Sequence, residues 1–323
     1  MALKNTFREV AIKVAPKQPE MIDYLLEEAP IMELMPFAPT TNGINHVYEQ
    51  LIDVTGNGIV DLDGELPNVD SATKLEQQNL SVFGGLIEAG EDKIKMFGGA
   101  GTYFASKMPQ ILKKTGADTE RSVLYNNLRA LAVQAKATEG LPDAADHLLS
   151  AGGDQNKNYS LLVVKWEPGN LSGLYDPNGF GRGMLFDMEA VNGGSLYFTK
   201  NSTQKTLGYG MRLKSYFGVL TANPRNVSAI VNIDISNSDP DEWDLPTANQ
   251  IDDAIAAVRG TTGGNTMILV HPKLKSAMNI YKTSLMETTV DVMNLERRFM
   301  AWNGVPIVES YNFLRGNEPN VSV

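Results

Sequence analysis

The stretch DLDGELPNVDSATKLEQQ (Asp61–Gln78), running on into GGLIEAGEDKI (Gly84–Ile94), decides how the rest of the chain is read. Its middle is rich in Gly, Asp and Asn, and the β-like runs HVYEQLIDV (His46–Val54) and NLSVFGGLIEA (Asn79–Ala89) flank it. Two such runs around a polar, turn-forming centre predict a long hairpin with an irregular tip over 43–98. The charge is as informative as the pattern. From Asp61 to Asp92 there are eight acids and one base, a net of −7; from Lys93 to Lys136 there are eight bases and two acids, a net of +6. This segregation is expected when the hairpin of one copy lies on the basic segment of the next, because complementary potentials fix register and speed encounter. Asp61, Asp63, Glu65 and Asp70 are placed at such inter-subunit contacts on the acidic side, and Lys107, Lys113, Lys114 and Arg121 on the basic side. Separate solvation of the two patches is the alternative.

Working outward toward the C-terminus, the period becomes helical between Thr102 and Gly140. Leu124, Leu128, Leu131 and Ala135 share one face, Asp118 or Thr119 can cap the start, and Gly140 with Pro142 closes the end. A shorter helix, YFASKMPQILKK (Tyr103–Lys114), precedes it, with a kink at Pro109 and a stop at Gly116. The strand-rich runs YSLLVVKW (Tyr159–Trp166), GSLYFTK (Gly194–Lys200), GYGMRLKSYFGVL (Gly208–Leu220) and NVSAIVNIDI (Asn226–Ile235) follow. Thr247 and Gln250 then form a capping box for a helix with Ile251, Ile255 and Val258 on one side and Gly260 at C′. TMILVH (Thr266–His271) reads as a buried strand running into Pro272 at the first position of a helix that aligns Leu274, Met278, Tyr281 and Leu285. A helical turn near Glu296 to Ala301 and a strand, VPIVES (Val305–Ser310), complete the pattern. In the other direction, residues 1–42 read as an arm with little core of its own, punctuated by Pro16, Pro19, Pro30, Pro36 and Pro39. Only Met21–Ala29 has helical spacing there.

The chain has 323 residues, of which 42% are apolar and 20% charged, the balance of a folded protein. Its net charge of −10 disfavours nucleic-acid groove binding and anionic membranes. There is no cysteine, and the three histidines, His46, His147 and His271, lie far apart in sequence, which removes thiol chemistry and nearly every zinc site. No signal peptide and no apolar span of about 20 residues is present, so the protein is expected to act where it is made. Asp53, Thr55, Asn57 and Asp61 stand at loop positions 1, 3, 5 and 9 of an EF-hand-like calcium pattern, but Gly64 occupies the position where a bidentate Glu is required. A solvated hairpin tip is the simpler reading. Gly98-Gly-Ala-Gly101 precedes a helix without a Walker lysine and reads as a flexible joint. His271 reads as a strand end or local cap. No catalytic residue and no cofactor is assigned, and the chain is read as a non-enzyme.

KSYFGVLTANPRNVSAIVNIDI (Lys214–Ile235), ANQIDDAIAAV (Ala248–Val258) with MILVHPKLKSAM (Met267–Met278), and FMAWNGVPIVES (Phe299–Ser310) are similar to segments of podovirus-type shell proteins. With the arm, the acidic hairpin and the long helix, nearly the whole chain resembles the HK97-like major capsid proteins of tailed bacteriophages. The resemblance implies an α+β, HK97-like capsid fold. Its parts are an N-terminal arm (1–42), an extended E-loop hairpin (43–98), a peripheral domain with a spine helix at about 119–138 and a β-rich block (99–235), an axial α/β domain (236–310) and a C-terminal tail (311–323). In this reading Gly84–Ile94 is the return strand of the E-loop, and the strand block at 159–235 preceding the axial segment makes the connection a permuted one. The implied function is self-assembly into hexamers and pentamers of an icosahedral head enclosing double-stranded DNA that is only weakly contacted. The implied partners are other copies of itself, a separate scaffolding protein, a portal and a decoration or cement protein, with no membrane. The implied location is the virion capsid after synthesis in the host cytoplasm. No local signature of Lys–Asn cross-linking is found, so the shell is expected to be non-covalent. An encapsulin-like nanocompartment shell is the alternative within the fold, and a calcium-dependent binding module the alternative outside it.

Overall fold

The computed structural model describes residues 6–14, 18–55, 64–65, 70–138, 143–177, 186–200, 205–260, 265–281, 286–291 and 298–323. The chain begins with three short helices, α1 (Phe7–Val14), α2 (Pro19–Glu27) and α3 (Pro30–Leu34), and a short strand β1 (Phe37–Pro39). Pro19 and Pro30 open α2 and α3, where a missing N–H leaves nothing unpaired. Ile22, Leu25, Leu26, Ile31, Met32, Leu34 and Phe37 are all buried in the largest hydrophobic cluster. The arm, expected to have little core of its own, shares the core of the body: the helical spacing of its apolar residues gives it a face that the body of its own chain covers.

β2 (Asn45–Thr55) and β3 (Asp70–Asn79) form a hairpin within the expected 43–98 stretch, antiparallel from Asn45 opposite Asn79 to Thr55 opposite Asp70 with one shift of register between Leu51 and Asp53. They make a two-stranded sheet of their own. The return strand is β3, not the Gly84–Ile94 stretch assigned to that role. Instead β4 (Ser81–Gly90) pairs with a later strand, and Glu91–Met96 is a helix, α4. Gly84 explains the switch. At φ +148°, a Cβ on it would fall 2.0 Å from the Leu213 carbonyl oxygen, so only glycine lets β4 approach its partner.

The next segment is one continuous rod: α5 (Ala100–Ser122), a π-helical turn (Val123–Arg129) and α6 (Ala130–Ala137). The stop at Gly116 and the cap at Asp118 or Thr119 are therefore corrected. Gly116 is a packing contact, with the Leu25 carbonyl oxygen 2.0 Å from where its Cβ would be, and Pro109 lies inside the helix. Gly98 (φ +81°) and Gly99 (φ +120°) make the joint between α4 and α5.

The remaining strands are β5 (Leu148–Ser150), β6 (Tyr159–Trp166), β7 (Leu171–Tyr175), β8 (Asp187–Ala190), β9 (Tyr197–Lys200), β10 (Lys205–Thr221), β11 (Val227–Ile233), β12 (Asn265–Val270), β13 (Met286–Asp291), β14 (Arg298–Trp302) and β15 (Val305–Glu309), with helices α7 (Ala248–Ala257) and α8 (Pro272–Ala277) around β12. They form two sheets. One runs β13-β14-β15-β12-β6-β11-β5; the other runs β1-β7-β10-β4, with β8 and β9 also pairing with β10. The period-2 alternation of β6 divides the first sheet's faces. Leu162, Val164 and Trp166 join the cluster containing the N-terminal helices and the long rod, while Leu161 and Val163 join the cluster that α7 and α8 cover. Because β6 lies between β11 and β12, the expected domain boundary at 235/236 cuts through a hydrogen-bonded sheet. The strand block expected at 159–235 is likewise divided between the sheets: the chain leaves the larger sheet after β6, builds β7 to β10 in the other, and returns at β11.

Local signals are mixed in outcome. The capping box of Thr247 and Gln250 is present, and His271 accepts a bond from Lys273 N at 3.0 Å to cap α8. Arg259 (φ +51°), rather than Gly260, takes the left-handed position after α7; a Cβ on Gly260 would crowd Thr266 and Ile255 instead. Phe299 to Ala301 lie in β14, not in a helical turn, while Leu285 and Glu296 fall outside the described residues. No described helix is long and apolar enough to cross a membrane.

Candidate assembly surfaces

A two-stranded hairpin alone is at best marginally stable in water. On one face of this one, Val47 and Leu75 are 39% and 69% exposed. The register puts Val47 opposite Gln77 and Leu75 opposite Glu49, so both apolar side chains share that face. On the other face Lys74 pairs with Glu76 at 2.5 Å, beside Tyr48, whose phenol is raised above its ordinary pKa chiefly by burial. Glu65 is exposed and Asp70 opens β3; Asp61 and Asp63 lie outside the described residues. Of the calcium pattern, Asp53 and Thr55 end β2, whereas Asn57 and Asp61 lie outside the described residues.

Lys107, Lys113, Lys114 and Arg121 all stand on α5. Within the subunit Lys113 Nζ is 2.6 Å from Glu27 Oε1, and Lys114 Nζ is 2.7 Å from Asp118 Oδ1. Arg121 Nε donates to the Asn312 carbonyl at 3.2 Å. Solvent-facing ion pairs of this kind are worth about 0–1 kcal/mol, so the lysines can exchange partners cheaply.

Two adjoining cavities, about 430 Å³ and 370 Å³, lie between β4 and the rod, sharing Gly84 and Thr115 as walls. A third, about 530 Å³, is lined largely by apolar side chains, including Met21, Phe104, Met108 and Met211.

Sequence reasoning missed the residues that hold the surface together. Glu120 is fully buried on the rod. Its Oε2 accepts from Ile31 N (2.8 Å) and Met32 N (3.2 Å), and its Oε1 accepts from Asn312 Nδ2 (2.9 Å) and the Ser310 hydroxyl. Burial drives its carboxyl above the ordinary range, and the four donors oppose that shift. One turn of chemistry further along, Glu318 accepts from Tyr125 OH (2.6 Å), Arg129 Nη1 (3.0 Å) and the Ser160 hydroxyl, and its carboxyl is also raised by burial. Tyr125 and Arg129 come from the π-helical turn. Asn232, the left-handed residue (φ +58°) in the β11 bulge, donates to Val321 O (2.8 Å) and accepts from Val321 N (2.9 Å). The signal for Glu120 was available: it falls on the stripe Leu112, Gly116, Leu124, Leu128, where an acid is out of place. Nothing local marks Glu318.

Two of the three histidines serve the fold. His147, pushed below its ordinary pKa chiefly by burial, bonds Val227 O through Nδ1 at 2.8 Å, and His271 caps α8. Among the described residues no group of three or more His, Cys, Asp or Glu side chains is placed to hold a metal.

A family model described as "Major capsid protein GP7" matches residues 66–322. Among solved structures, the chain is similar to a protein of bacteriophage Epsilon15 at 12% identity, covering 87% of each chain with a TM-score of 0.53. It is also similar to a chain of the bacteriophage JBD30 capsid decorated with minor capsid protein trimers (12% identity, 97% of this chain and 96% of that one, TM-score 0.47). A third match is the holo-SrpI encapsulin complex of Synechococcus elongatus PCC 7942 (11% identity, 64% and 88%, TM-score 0.40). No curated protein matches the chain in sequence.

Proposed function

Since the chain belongs to the family of the major capsid protein GP7 and builds a phage capsid shell in the HK97-like fold, we propose that it does so as hexamers and pentamers closing an icosahedral head around double-stranded DNA. The acidic hairpin of each copy lies on the basic rod of the next. The observation that carries this reading is the β2–β3 hairpin itself: an acidic ribbon with Val47 and Leu75 exposed on one face and, among the described residues, forming no sheet with its own body, beside a rod that carries lysines in exchangeable surface pairs. Ordering such a ribbon costs conformational entropy that burial by a neighbour offsets. The net charge of −10 keeps packaged DNA weakly held.

The finer assignments follow from the same reading. The long rod with the β1-β7-β10-β4 sheet serves as the peripheral part, and the larger sheet with α7 and α8 as the axial part. A scaffolding protein, a portal and a decoration protein are its partners, and the chain works without enzymatic activity, made in the host cytoplasm and resident in the virion. Negative-stain microscopy of the purified chain over a range of concentrations, with and without a co-expressed scaffold, tests the proposal. Closed particles are expected; monomers under every condition overturn it. Particles that carry protein cargo and no DNA would assign the chain to nanocompartments instead.

A further inference from the structure

We propose that the open edge of β4 is completed by a strand of the β2–β3 hairpin of a second copy, so that the sheet β1-β7-β10-β4 continues across the subunit boundary. The inference rests on the shell reading and names the surface that receives the hairpin. β4 pairs with β10 from Gly90 opposite Gly208 to Ser81 opposite Phe217, and among the described residues no strand pairs with its other side. Ten residues of backbone therefore present unpaired donors and acceptors, a template for another strand. Val82 and Leu86 on this strand are each 55% exposed.

Beneath the edge the body is hollow. The 370 Å³ cavity is walled by Gly84 to Glu88, Leu213, Ile111 and Thr115, and the 430 Å³ cavity continues it past Thr119 and Ser122. A strand with a helix running beside it and space between is the geometry that accepts an added strand. Gly85 opens that space: it is paired with Leu213, whose side chain is buried, and a Cβ on Gly85 would meet nothing within 4 Å.

The occupant follows from the same chain. The hairpin is a second element with open edges, ten and eleven residues long, matching the ten of β4. Its face with Val47 and Leu75 suits a groove floored by Ile111 and Thr115. Lys107 and Lys114 stand on the Ile111 side of the helix by their i and i+7 spacing, opposite in sign to the hairpin's Glu49, Glu65, Asp70 and Glu76. Each open edge satisfies the other, and a marginal ribbon gains the additional strands it needs.

The chain contains no cysteine, so introduced thiols report without background. Single-cysteine variants on the groove side of β4 (Ser81→Cys or Gly85→Cys) and on the hairpin (Val47→Cys or Leu75→Cys) are co-assembled in pairs and oxidised; any heterodimer then joins two copies. At least one β4–hairpin pair is expected to form a covalent dimer in particles and none in unassembled subunits, since a disulfide requires Cα atoms about 4.4–6.8 Å apart. Particles in which no such pair links overturn the inference, as do links of β4 with β4 alone. Absence of particles by microscopy in the unsubstituted chain overturns the shell reading, and this inference falls with it. A second variant, Gly85→Phe, puts a large side chain into the groove from a position where a Cβ meets nothing within 4 Å. It is expected to leave the thermal unfolding midpoint of the subunit unchanged and lower particle yield at least tenfold; normal yield overturns the inference.

Discussion

The β2–β3 hairpin and the segment after Ser310 make opposite use of the chain. The hairpin's strands are paired along their length but for one shift of register between Leu51 and Asp53, and among the described residues they pair only with each other, with Val47 and Leu75 open to water. The last thirteen residues contain no helix or strand, yet Asn312, Phe313 and Glu318 are buried, Phe313 against Tyr125 of the rod and the other two bonded to the rod, to Glu28 and to Ser160. Regular structure and anchorage are thus separate properties. A ladder of backbone bonds fixes shape; burial of side chains with satisfied partners fixes position. The segment expected to be a tail is the anchored one, and the element expected to reach outward has no sheet partner of its own.

The largest effect should come from breaking the anchor. Glu318→Ala leaves Arg129 beside an emptied site and removes the acceptor of Tyr125 and Ser160; a loss of about 3–5 kcal/mol in urea denaturation is expected. A loss below about 1 kcal/mol would mean the segment is held elsewhere. Glu120→Gln substitutes one acceptor oxygen by a donor amide facing donors, at a cost of about 1–3 kcal/mol. It also carries a pH signature. Burial raises the Glu120 carboxyl above its ordinary 4.5, so the folded chain retains a proton the unfolded chain releases. The contribution to stability is therefore fullest below about pH 4.5 and declines as pH rises through the shifted value. The difference between the parent and Glu120→Gln, measured at successive pH values, should show this slope, since Glu318 is common to both.

Smaller effects on the subunit sharpen the hairpin side. Lys113→Glu with Lys114→Glu reverses two surface pairs and should cost the subunit at most about 1 kcal/mol for each pair, while particle assembly falls. Unchanged assembly would break the charge-pairing idea. Leu75→Ser should move subunit stability by no more than about 0.5 kcal/mol and still reduce particle yield measured by sedimentation.

The same contrast explains how much was legible in the sequence. Features coded over a few residues were readable: a hairpin within 43–98 with β2 as its outgoing strand, though not its return strand β3, the Thr247–Gln250 box, and His271 with Pro272 at the start of α8. Residues with two possible uses were misread. Pro109 and Gly116 look like helix punctuation, but Gly116 is where the Leu25 carbonyl approaches the rod. Contacts between distant segments leave no periodic trace. Nothing local says that β6 lies between β11 and β12, or that Glu120 bonds Ser310 and Asn312. The contact residues Lys107, Lys113, Lys114 and Arg121 were readable only as charges; their partners within the subunit were not.

The rod from Ala100 to Ala137 is about 55 Å long at 1.5 Å per residue. Glu318 clamps it at the π-helical turn, Glu120 clamps it just before that turn, and the groove beside β4 runs along it from Ile111 past Ser122. Such a bar is a lever with its fulcrum off centre. Ala100 lies about 30 Å from Glu120 at 1.5 Å per residue, so a tilt of about 5° at the clamp carries Ala100 through about 2.6 Å, and a small change where the last residues are seated is magnified at the joint of Gly98 and Gly99.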